Sequence, residues 1–428
     1  MAAVLPSPIT STDYAPHPTN KMKAARWMGR RDVEISLVPK PTITDPSDAI
    51  IQVTHCTISG SDLPLYEGDL GDAMRKGDIM GREAIGLVEE VGPNVNSLEV
   101  GDRVIILPVI ACGHCDYCKR NEYSLCDVSN PSKEMQIAYG HRVAGILGHS
   151  QLCGGYPGNQ AEFCRVPNAD LTCLKAPHDV DARKLLSLSD VVSTAWHALE
   201  LAEVRDGDAV GVWGCSPIGL SIQRLAKLRG ANMVYAIDRN PQRLQRAEEF
   251  GMIPIDVSAH SDVGEYLLSI RPQGVDKAIE ASGYPSTQQL SLAAMRALGL
   301  GRESSDPVSA IIKATRKGGN IALVGDFFFT THDFPVGPLV QKALTVRGGQ
   351  SIPQRYQPFL LDLVISGRLD PSWMFTYEDS FENIAAHYRR FAQHEEPGGL
   401  KVVLVTAFGR SEQPTSDILI DRDSGTEL

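Results

Sequence analysis

The sequence predicts an α/β protein in which a β-rich unit is followed by a doubly wound parallel sheet. Over residues 23–166, short apolar runs are punctuated by Gly, Pro and Asn, a pattern typical of strands joined by turns. Over residues 193–347, apolar strand segments alternate with helical stretches, which indicates parallel strands with crossover helices. We therefore expect five segments: a flexible tail (1–22), a β-rich domain (23–192), a parallel-sheet domain (193–347), a return to the first domain (348–408) and a second flexible tail (409–428).

Composition limits the classes of partner. The chain has 428 residues, of which 43% are hydrophobic and 22% charged, enough for two globular domains. Forty-one basic against 52 acidic residues give a net charge of -11, which argues against nucleic acid or an anionic membrane as the main partner and favours a small molecule. The sequence shows no signal-like leader and no apolar run of about 18 residues or more, so we expect a cytoplasmic protein.

Four of the nine cysteines form a short cluster with metal-ligand spacing. They are separated by two, two and seven residues, and four thiolates at such spacing can close a tetrahedron around zinc. Disulfides or idle thiols are the alternatives, and the odd total favours a reducing compartment. The sequence predicts one structural zinc per chain, held by Cys112, Cys115, Cys118 and Cys126.

A glycine-containing turn lies between a predicted strand and a predicted helix. In GVWGCSPIGL, Gly214 and Gly219 occupy the first and last positions of a GxGxxG motif, and Ser216 takes the middle one. Asp238 ends the next strand, where a carboxylate can accept hydrogen bonds from ribose and would repel a 2′-phosphate. NAD is favoured, although the adjacent arginine leaves NADP open, and the alternative is a tight turn that binds no nucleotide. The predicted cofactor residues here are Gly214, Ser216, Pro217, Ile218, Gly219, Asp238 and Arg239.

Together these segments resemble the zinc-containing medium-chain dehydrogenase/reductase family, which includes alcohol, sorbitol and threonine dehydrogenases. The similarity extends over residues 23–406 and rests on SGSDL, GREAIGLVEEVG, GDRV, the cysteine cluster, WGCSPIG, AIDRNPQRL, VDKAIEASG and VRGGQ. It implies a GroES-like catalytic domain, a Rossmann domain, a cleft between them and a homodimer or homotetramer. The loop after the cysteines and LLSLSDVVSTAWHAL are most similar to the formaldehyde dehydrogenase branch, in which an aspartate is the third ligand of the catalytic zinc.

The resemblance places the catalytic zinc among Ser59, Arg82 and Asp190, where the family has better ligands. A serine hydroxyl is not a thiolate at neutral pH, and a guanidinium has no lone pair to offer, so only Asp190 can bind metal. Cys56 cannot take the place of Ser59, because a shift of three residues along a strand turns the side chain to the opposite face. We expect the catalytic zinc to be absent and an ion pair between Arg82 and Asp190 to fill its place.

Other family positions are retained in part. The resemblance implies that Ser61 begins a proton relay, that Asp62 and Glu83 support the metal site, and that Thr194 and Gln350 lie near the nicotinamide. The relay histidine of the family is replaced by Pro64, and the acidic residues are equally compatible with a satisfied polar network. The candidate catalytic residues are therefore Ser59, Ser61, Arg82, Asp190 and a loop histidine, His141.

His141 is a candidate because a replacement acid or base is needed. Tyr139, His141 and His149 lie in a glycine-rich loop, and an imidazole can protonate an enolate or alkoxide at neutral pH, although a loop histidine is more often structural. The remaining histidines and cysteines of interest are interpreted as packing residues: His55, His197, Cys153, Cys164, Cys173 and Cys215.

Three functions are compatible with these residues. The first is a nicotinamide-dependent oxidoreductase that acts on a specialised carbonyl, enone or alcohol without catalytic zinc, with reduction favoured because Arg82 cannot acidify an alcohol as zinc does. The second is a redox-neutral isomerase, dehydratase or cyclase that uses the same cleft. The third is a non-catalytic NAD-binding homologue.

Overall fold

The computed structural model describes residues 16–70, 73–283, 302–303, 306–327, 330–331, 334–393 and 399–410. The elements up to residue 201 are β1 (Pro16–Gly29), β2 (Asp32–Pro41), β3 (Ala49–Cys56), α1 (Asp62–Glu67), β4 (Ala84–Val91), β5 (Arg103–Ile106), β6 (Val109–Ile110), α2 (Asp116–Lys119), α3 (Lys133–Tyr139), β7 (Gly145–Ile146), β8 (Phe163–Val166), α4 (Ala169–Thr172), β9 (Cys173–Lys175), α5 (Ala182–Leu188) and α6 (Val191–Leu201). Short 3₁₀ turns occur at Tyr123–Leu125 and Gln151–Cys153.

The second part of the chain alternates strands and helices before it returns to the first. Its elements are β10 (Ala209–Trp213), α7 (Pro217–Leu228), β11 (Met233–Asp238), α8 (Pro241–Glu249), β12 (Ile253–Asp256), α9 (Val263–Ile270), β13 (Val275–Glu280), β14 (Arg302–Glu303), α10 (Asp306–Ala314), β15 (Thr315–Leu323), β16 (Thr330–Thr331), α11 (Val336–Gln341) and β17 (Thr345–Gly348). The returning elements are α12 (Pro353–Ile365), β18 (Phe375–Ser380), α13 (Ile384–Gln393), β19 (Lys401–Val405) and α14 (Ala407–Arg410). Further 3₁₀ turns occur at Val257–Ala259, Ser372–Met374 and Phe381–Asn383.

The parallel sheet has the topology of a Rossmann domain. Its six strands are ordered β12-β11-β10-β13-β15-β17, and every neighbouring pair is parallel. Numbered along the chain, this order is 3-2-1-4-5-6, in which the strand order reverses between β10 and β13. Ligands of such sheets bind beyond the carboxyl ends of the strands at this reversal. The α/β class predicted from the sequence is confirmed.

The first part of the chain and strands β18 and β19 near its end together form a seven-stranded sheet. The order is β18-β19-β3-β4-β5-β9, and β8 also pairs with β3. Strand β19 pairs antiparallel with β3, with Leu404 opposite Cys56 and Val405 opposite His55. The last strand of the chain therefore completes the sheet that carries Cys56 and leads into Ser59.

One apolar core spans both sheets and fixes the walls of the cleft between them. It includes Ile85 of β4, Leu188 of α5, Val192 of α6, Val212 of β10 and Leu360 of α12, all fully or almost fully buried. Helix α6, which Asp190 immediately precedes, packs on both α7 and α12 and is therefore held by both parts of the chain.

The structure differs from the sequence prediction at the first tail. Residues 16–22 were assigned to a flexible segment, yet they begin β1, and Met22 pairs with Val38 and is 1% exposed. The Pro, Ser and Thr content of this region concealed a strand whose buried residues begin only at its second half. At the other end, Gly409 and Arg410 complete α14, while residues 1–15 and 411–428 lie outside the described part of the chain. None of the described helices is long and apolar enough to span a membrane.

Candidate active site

Arg82 and Asp190 form the ion pair that the sequence predicts. Arg82 precedes β4 in the chain, and Asp190 is the residue immediately before α6. Arg82 Nε and Nη2 both donate to Asp190 Oδ2, at 2.9 and 2.5 Å, and Thr194 Oγ1 donates to Asp190 Oδ1 at 3.0 Å. The side chains are 12% and 3% exposed, so the pair is largely removed from water. These hydrogen bonds use Nε and Nη2 of Arg82, and no partner of Nη1 is found among the described residues.

Asp326 is a third charged residue of this cleft, and it comes from the Rossmann domain. It follows β15, at the carboxyl end of the sheet, and its side chain is partly exposed. Burial raises the pKa of Asp326, Arg82 lowers it, and Asp190 raises it. For Arg82, burial lowers the pKa, but Asp190 and then Asp326 raise it more, so the guanidinium stays charged. No local sequence pattern marks Asp326, because only the fold brings the end of β15 to Arg82.

Ser59, Ser61 and Asp62 form a buried hydrogen-bonded group where β3 leads into α1. Ser59 Oγ lies 3.0 Å from Ser61 Oγ, and the Ser59 N–H donates to Asp62 Oδ2 at 2.9 Å. Gln160 Nε2 donates to the same oxygen at 3.1 Å, while Asp62 Oδ1 has no partner among the described residues. Burial raises the pKa of Asp62 to about 7, a rise that the Ser59 N–H and Arg82 partly oppose. Asp62 is therefore a carboxyl group that changes protonation near neutral pH.

Glu83 and Lys401 form a second buried ion pair behind Arg82. Lys401 Nζ donates to Glu83 Oε1 at 2.8 Å and to the Ile58 carbonyl at 3.2 Å, and the two side chains are 0% and 2% exposed. Burial raises the pKa of Glu83, and Lys401 opposes this rise. This pair joins the segment after β3 and the residue before β4 to β19, so it fixes the backbone next to Arg82.

The structure places His149, and not His141, in the cleft. His141 is exposed, and its ring contacts that of Tyr139 at a centroid distance of 6.5 Å. His149 is 9% exposed and follows Gly148, whose backbone packs on Gly81 so closely that a Cβ at residue 148 would lie 1.9 Å from the Gly81 oxygen. Burial and the neighbouring charge of Arg82 lower the pKa of His149 to about 3, although Asp190 opposes this shift. His149 is thus a neutral imidazole near the ion pair, and the assignment of His141 to the cleft is corrected.

The glycine turn after β10 requires both of its glycines. Gly214 has a φ of +108°, and a Cβ there would lie 2.8 Å from the Ala281 oxygen. A Cβ on Gly219 would lie 2.0 Å from the Gly214 oxygen, so a side chain at this position would break the turn. Ser216 begins α7 as its N-cap, since its Oγ accepts from the Gly219 N–H at 3.3 Å. Pro217 and Ile218 then form the first turn of the helix.

Asp238 is held against this turn at the end of β11. Its Oδ2 accepts from the Cys215 N–H at 2.6 Å, and its Oδ1 accepts from the Arg239 and Asn240 N–H groups at 2.7 and 2.9 Å. The carboxylate is therefore oriented beside the amino end of α7, where a helix attracts anionic groups. The seven predicted cofactor residues of this region thus lie at the turn after β10, in the first turn of α7 and at the end of β11.

Thr194 lies on α6, and Gln350 lies in the segment that passes this helix near His197. Thr194 lies in the first turn of α6, and His197 lies one turn further along the same helix. Gln350 follows β17, and a Cβ on its neighbour Gly349 would lie 3.9 Å from His197 Nε2. His197 Nδ1 lies 2.9 Å from the Tyr356 hydroxyl, which agrees with a packing role. The segment after β17 thus borders the helix that begins at Asp190.

The four cysteines converge. Their sulfur atoms all lie within 4.8 Å of one another, and all four residues are buried. The Cys115 N–H donates to Cys112 Sγ at 3.2 Å and the Cys118 N–H to Cys115 Sγ at 3.5 Å, contacts that favour thiolates. This donor set fits zinc, which would be held here by four sulfurs with no open position.

No second group of this kind occurs in the described ranges. The place among Ser59, Arg82 and Asp190 offers one carboxylate, already paired, and one permanent cation, so its donor set does not fit a catalytic zinc. Burial raises the pKa of each of the other cysteine thiols, namely Cys56, Cys153, Cys164, Cys173 and Cys215.

Comparison with known proteins agrees with this fold and turn. The model of the alcohol dehydrogenase GroES-like domain matches residues 45–178, and the model of the zinc-binding dehydrogenase matches residues 217–300. A zinc-type alcohol dehydrogenase-like protein of Schizosaccharomyces pombe is 42% identical over 395 residues, covering 92% of this chain and 93% of that protein. The chain therefore belongs to the zinc-containing medium-chain dehydrogenase/reductase family and is an alcohol dehydrogenase-like oxidoreductase.

Two further dehydrogenases are similar to this chain, one in sequence and one in structure. A glutathione-independent formaldehyde dehydrogenase of Pseudomonas aeruginosa is 33% identical over 270 residues, covering 60% of this chain and 64% of that protein. The structure of the alcohol dehydrogenase TADH from Thermus sp. ATN1 is 31% identical, with a TM-score of 0.76, and the match covers 90% of this chain and all of that one.

Proposed function

We propose that the protein is a nicotinamide-dependent oxidoreductase that acts on a small carbonyl, enone or alcohol without a catalytic zinc. The observation that carries this proposal is the Arg82–Asp190 ion pair, formed by residues that the family resemblance aligns with ligands of the catalytic metal. The guanidinium of Arg82, paired with Asp190, takes the place of the zinc ion as the positive charge. The glycine turn and Asp238, which serve the cofactor, are retained.

The chain binds the cofactor through the carboxyl edge of the parallel sheet. The turn at Gly214 and the amino end of α7 receive the pyrophosphate, and Asp238 accepts hydrogen bonds from the adenosine ribose. Asp238 supports NAD over NADP, because a 2′-phosphate beside this carboxylate would be repelled. The nicotinamide supplies or accepts a hydride when it is bound in the cleft.

Arg82 acts on the substrate oxygen. Its Nη1 donates a hydrogen bond to a carbonyl oxygen and stabilises the negative charge that develops there on reduction. Because the charge of Arg82 is shared with Asp190, it acidifies an alcohol less than zinc does, so reduction of an activated carbonyl or alkene is favoured. The paired hydroxyls of Ser59 and Ser61 lie beside Asp62, which holds a proton near neutral pH.

Three measurements on the purified chain test the proposal. NADH fluorescence titration should show saturable binding, and absence of binding at millimolar NADH would reject the cofactor. Metal analysis should find one zinc per chain, whereas two would reject the loss of the catalytic metal. Mass spectrometry of products from a carbonyl and enone panel should show a gain of about two daltons, because reduction adds a hydride from the nicotinamide and a proton. A product of unchanged mass would instead identify a redox-neutral catalyst.

The family resemblance also supports a homodimer or homotetramer, which analytical ultracentrifugation would measure.

A further inference from the structure

The loop that carries the four cysteines contacts the segment that follows β17. Ser124 Oγ donates to the Gln350 carbonyl at 3.2 Å, and Gln354 Nε2 donates to the Val109 carbonyl at 2.6 Å. Ser124 and Val109 are each 4% exposed, and both contacts are partly buried. The two residues of each contact are more than 220 positions apart in the sequence, and no sequence motif predicts either contact.

The position of Ser124 depends on two of the cysteines. It lies in the 3₁₀ turn Tyr123–Leu125, between Cys118 and Cys126, and the Cys126 N–H donates to the Tyr123 carbonyl at 3.2 Å. The Ser124 carbonyl in turn accepts from the Ala144 N–H at 3.0 Å. A metal bound by the four sulfurs fixes both ends of this turn, whereas four unbound thiols leave them joined only by weak contacts.

The other side of the contact faces the cleft. Gln350 has an exposed side chain, and Gly349 before it packs toward His197, one turn from Thr194 on α6. The Gln350 carbonyl faces Ser124, and the family resemblance implies that Gln350 lies near the nicotinamide. The segment has the cysteine loop on one side and the active-site helix on the other.

We propose that Ser124 is a positioning residue for the nicotinamide half of the cofactor, and that zinc in the cysteine cluster sets cofactor affinity through it. The inference rests on the proposed binding of a nicotinamide cofactor in the cleft. The adenosine half is held by the turn at Gly214 and by Asp238, which do not touch the cysteine loop. The effect of Ser124 is therefore confined to one half of the cofactor.

The test compares NADH with ADP-ribose, which lacks the nicotinamide, in calorimetric titrations of the zinc-loaded chain. Ser124→Ala should weaken NADH binding about fivefold, the equivalent of one hydrogen bond, with ADP-ribose binding and zinc content unchanged. Gln354→Met should do the same through the second contact. Ser124→Thr keeps the hydroxyl and should restore NADH affinity. Ser132→Ala is the matched control, since Ser132 is 5% exposed in the same loop and caps α3 without touching Gln350.

Removal of zinc with a chelator should reproduce the selective loss of NADH affinity, checked against the melting temperature. The proposal is overturned if Ser124→Ala and Gln354→Met bind NADH like the parent, or if NADH and ADP-ribose weaken equally, which would show a merely structural role. If the parent chain binds ADP-ribose but not NADH, or neither ligand, the proposed function fails and this inference falls with it. If the parent binds both and only the variants disagree, this inference alone fails.

Discussion

Removal of the Asp190 carboxylate is the most direct perturbation of the candidate active site. In Asp190→Ala, Arg82 loses both hydrogen bonds to Oδ2, and Thr194 loses its acceptor. Arg82 cannot discard its charge, and its side chain is only 12% exposed, so water cannot replace the lost partner in full. We therefore expect a large loss of stability from a substitution that removes only a few atoms.

The magnitude follows from the contacts. Two hydrogen bonds to a charged group contribute about 1.5 to 3 kcal/mol each, and breaking a buried ion pair costs about 3 to 5 kcal/mol. Asp326 also acts on the Arg82 charge and remains in the variant, which reduces the penalty. We expect Asp190→Ala to lower the free energy of unfolding by about 3 kcal/mol.

Urea denaturation followed by fluorescence measures this change. The double variant Arg82→Met with Asp190→Leu removes both charges and should recover most of the stability, because an apolar pair replaces a buried ionic one without an unpaired charge. Glu265→Ala, which removes an exposed partner of Lys313, is the control and should change little. If Asp190→Ala unfolds at the same urea concentration as the parent, the ion pair does not stabilise the cleft and the reasoning is refuted.

Three further variants test other parts of the site. Ser59→Cys combined with Arg82→His should raise the metal content from one to two zinc ions per chain by elemental analysis, and an unchanged count would show that the cleft excludes metal for another reason. Asp62 keeps its proton in the folded chain up to about pH 7 but releases it near pH 4 when unfolded, so stability should fall as pH rises from 4 to 7. Asp62→Asn should remove most of that fall in pH-dependent urea unfolding, at most about 4 kcal/mol, and equal slopes in both proteins would contradict the assignment. Gly219→Ala places a Cβ 2.0 Å from the Gly214 oxygen and should abolish NADH binding by fluorescence while the zinc content stays the same; retained binding would contradict the role of the turn.

The sequence predicted those features whose residues lie close together in the chain. The four cysteines span fifteen positions, and their spacing alone specifies a metal-binding loop. The glycine turn was also predictable, because a strand, Gly214, Gly219 and a helix follow one another without a gap. The ion pair required the family resemblance, since nothing local relates Arg82 to Asp190.

Features that depend on the path of a loop were not predictable. His141 and His149 have similar glycine-rich surroundings, and only the contact of Gly148 with Gly81 selects the second. Asp326 follows an ordinary apolar strand, so its approach to Arg82 is a property of the packed domains and not of its neighbours in sequence.

The pair formed by Lys401 and Glu83 has a consequence for biosynthesis. Glu83 is synthesised more than 300 residues before Lys401, and until then its fully buried position would hold a carboxylate without its partner. Strand β19 likewise joins β4 and β8 as an antiparallel neighbour of β3 only at that stage. Although domains commonly fold in order as they leave the ribosome, the first domain of this chain must wait for the second. We expect the nascent chain to need protection from aggregation until residues 375–405 have emerged.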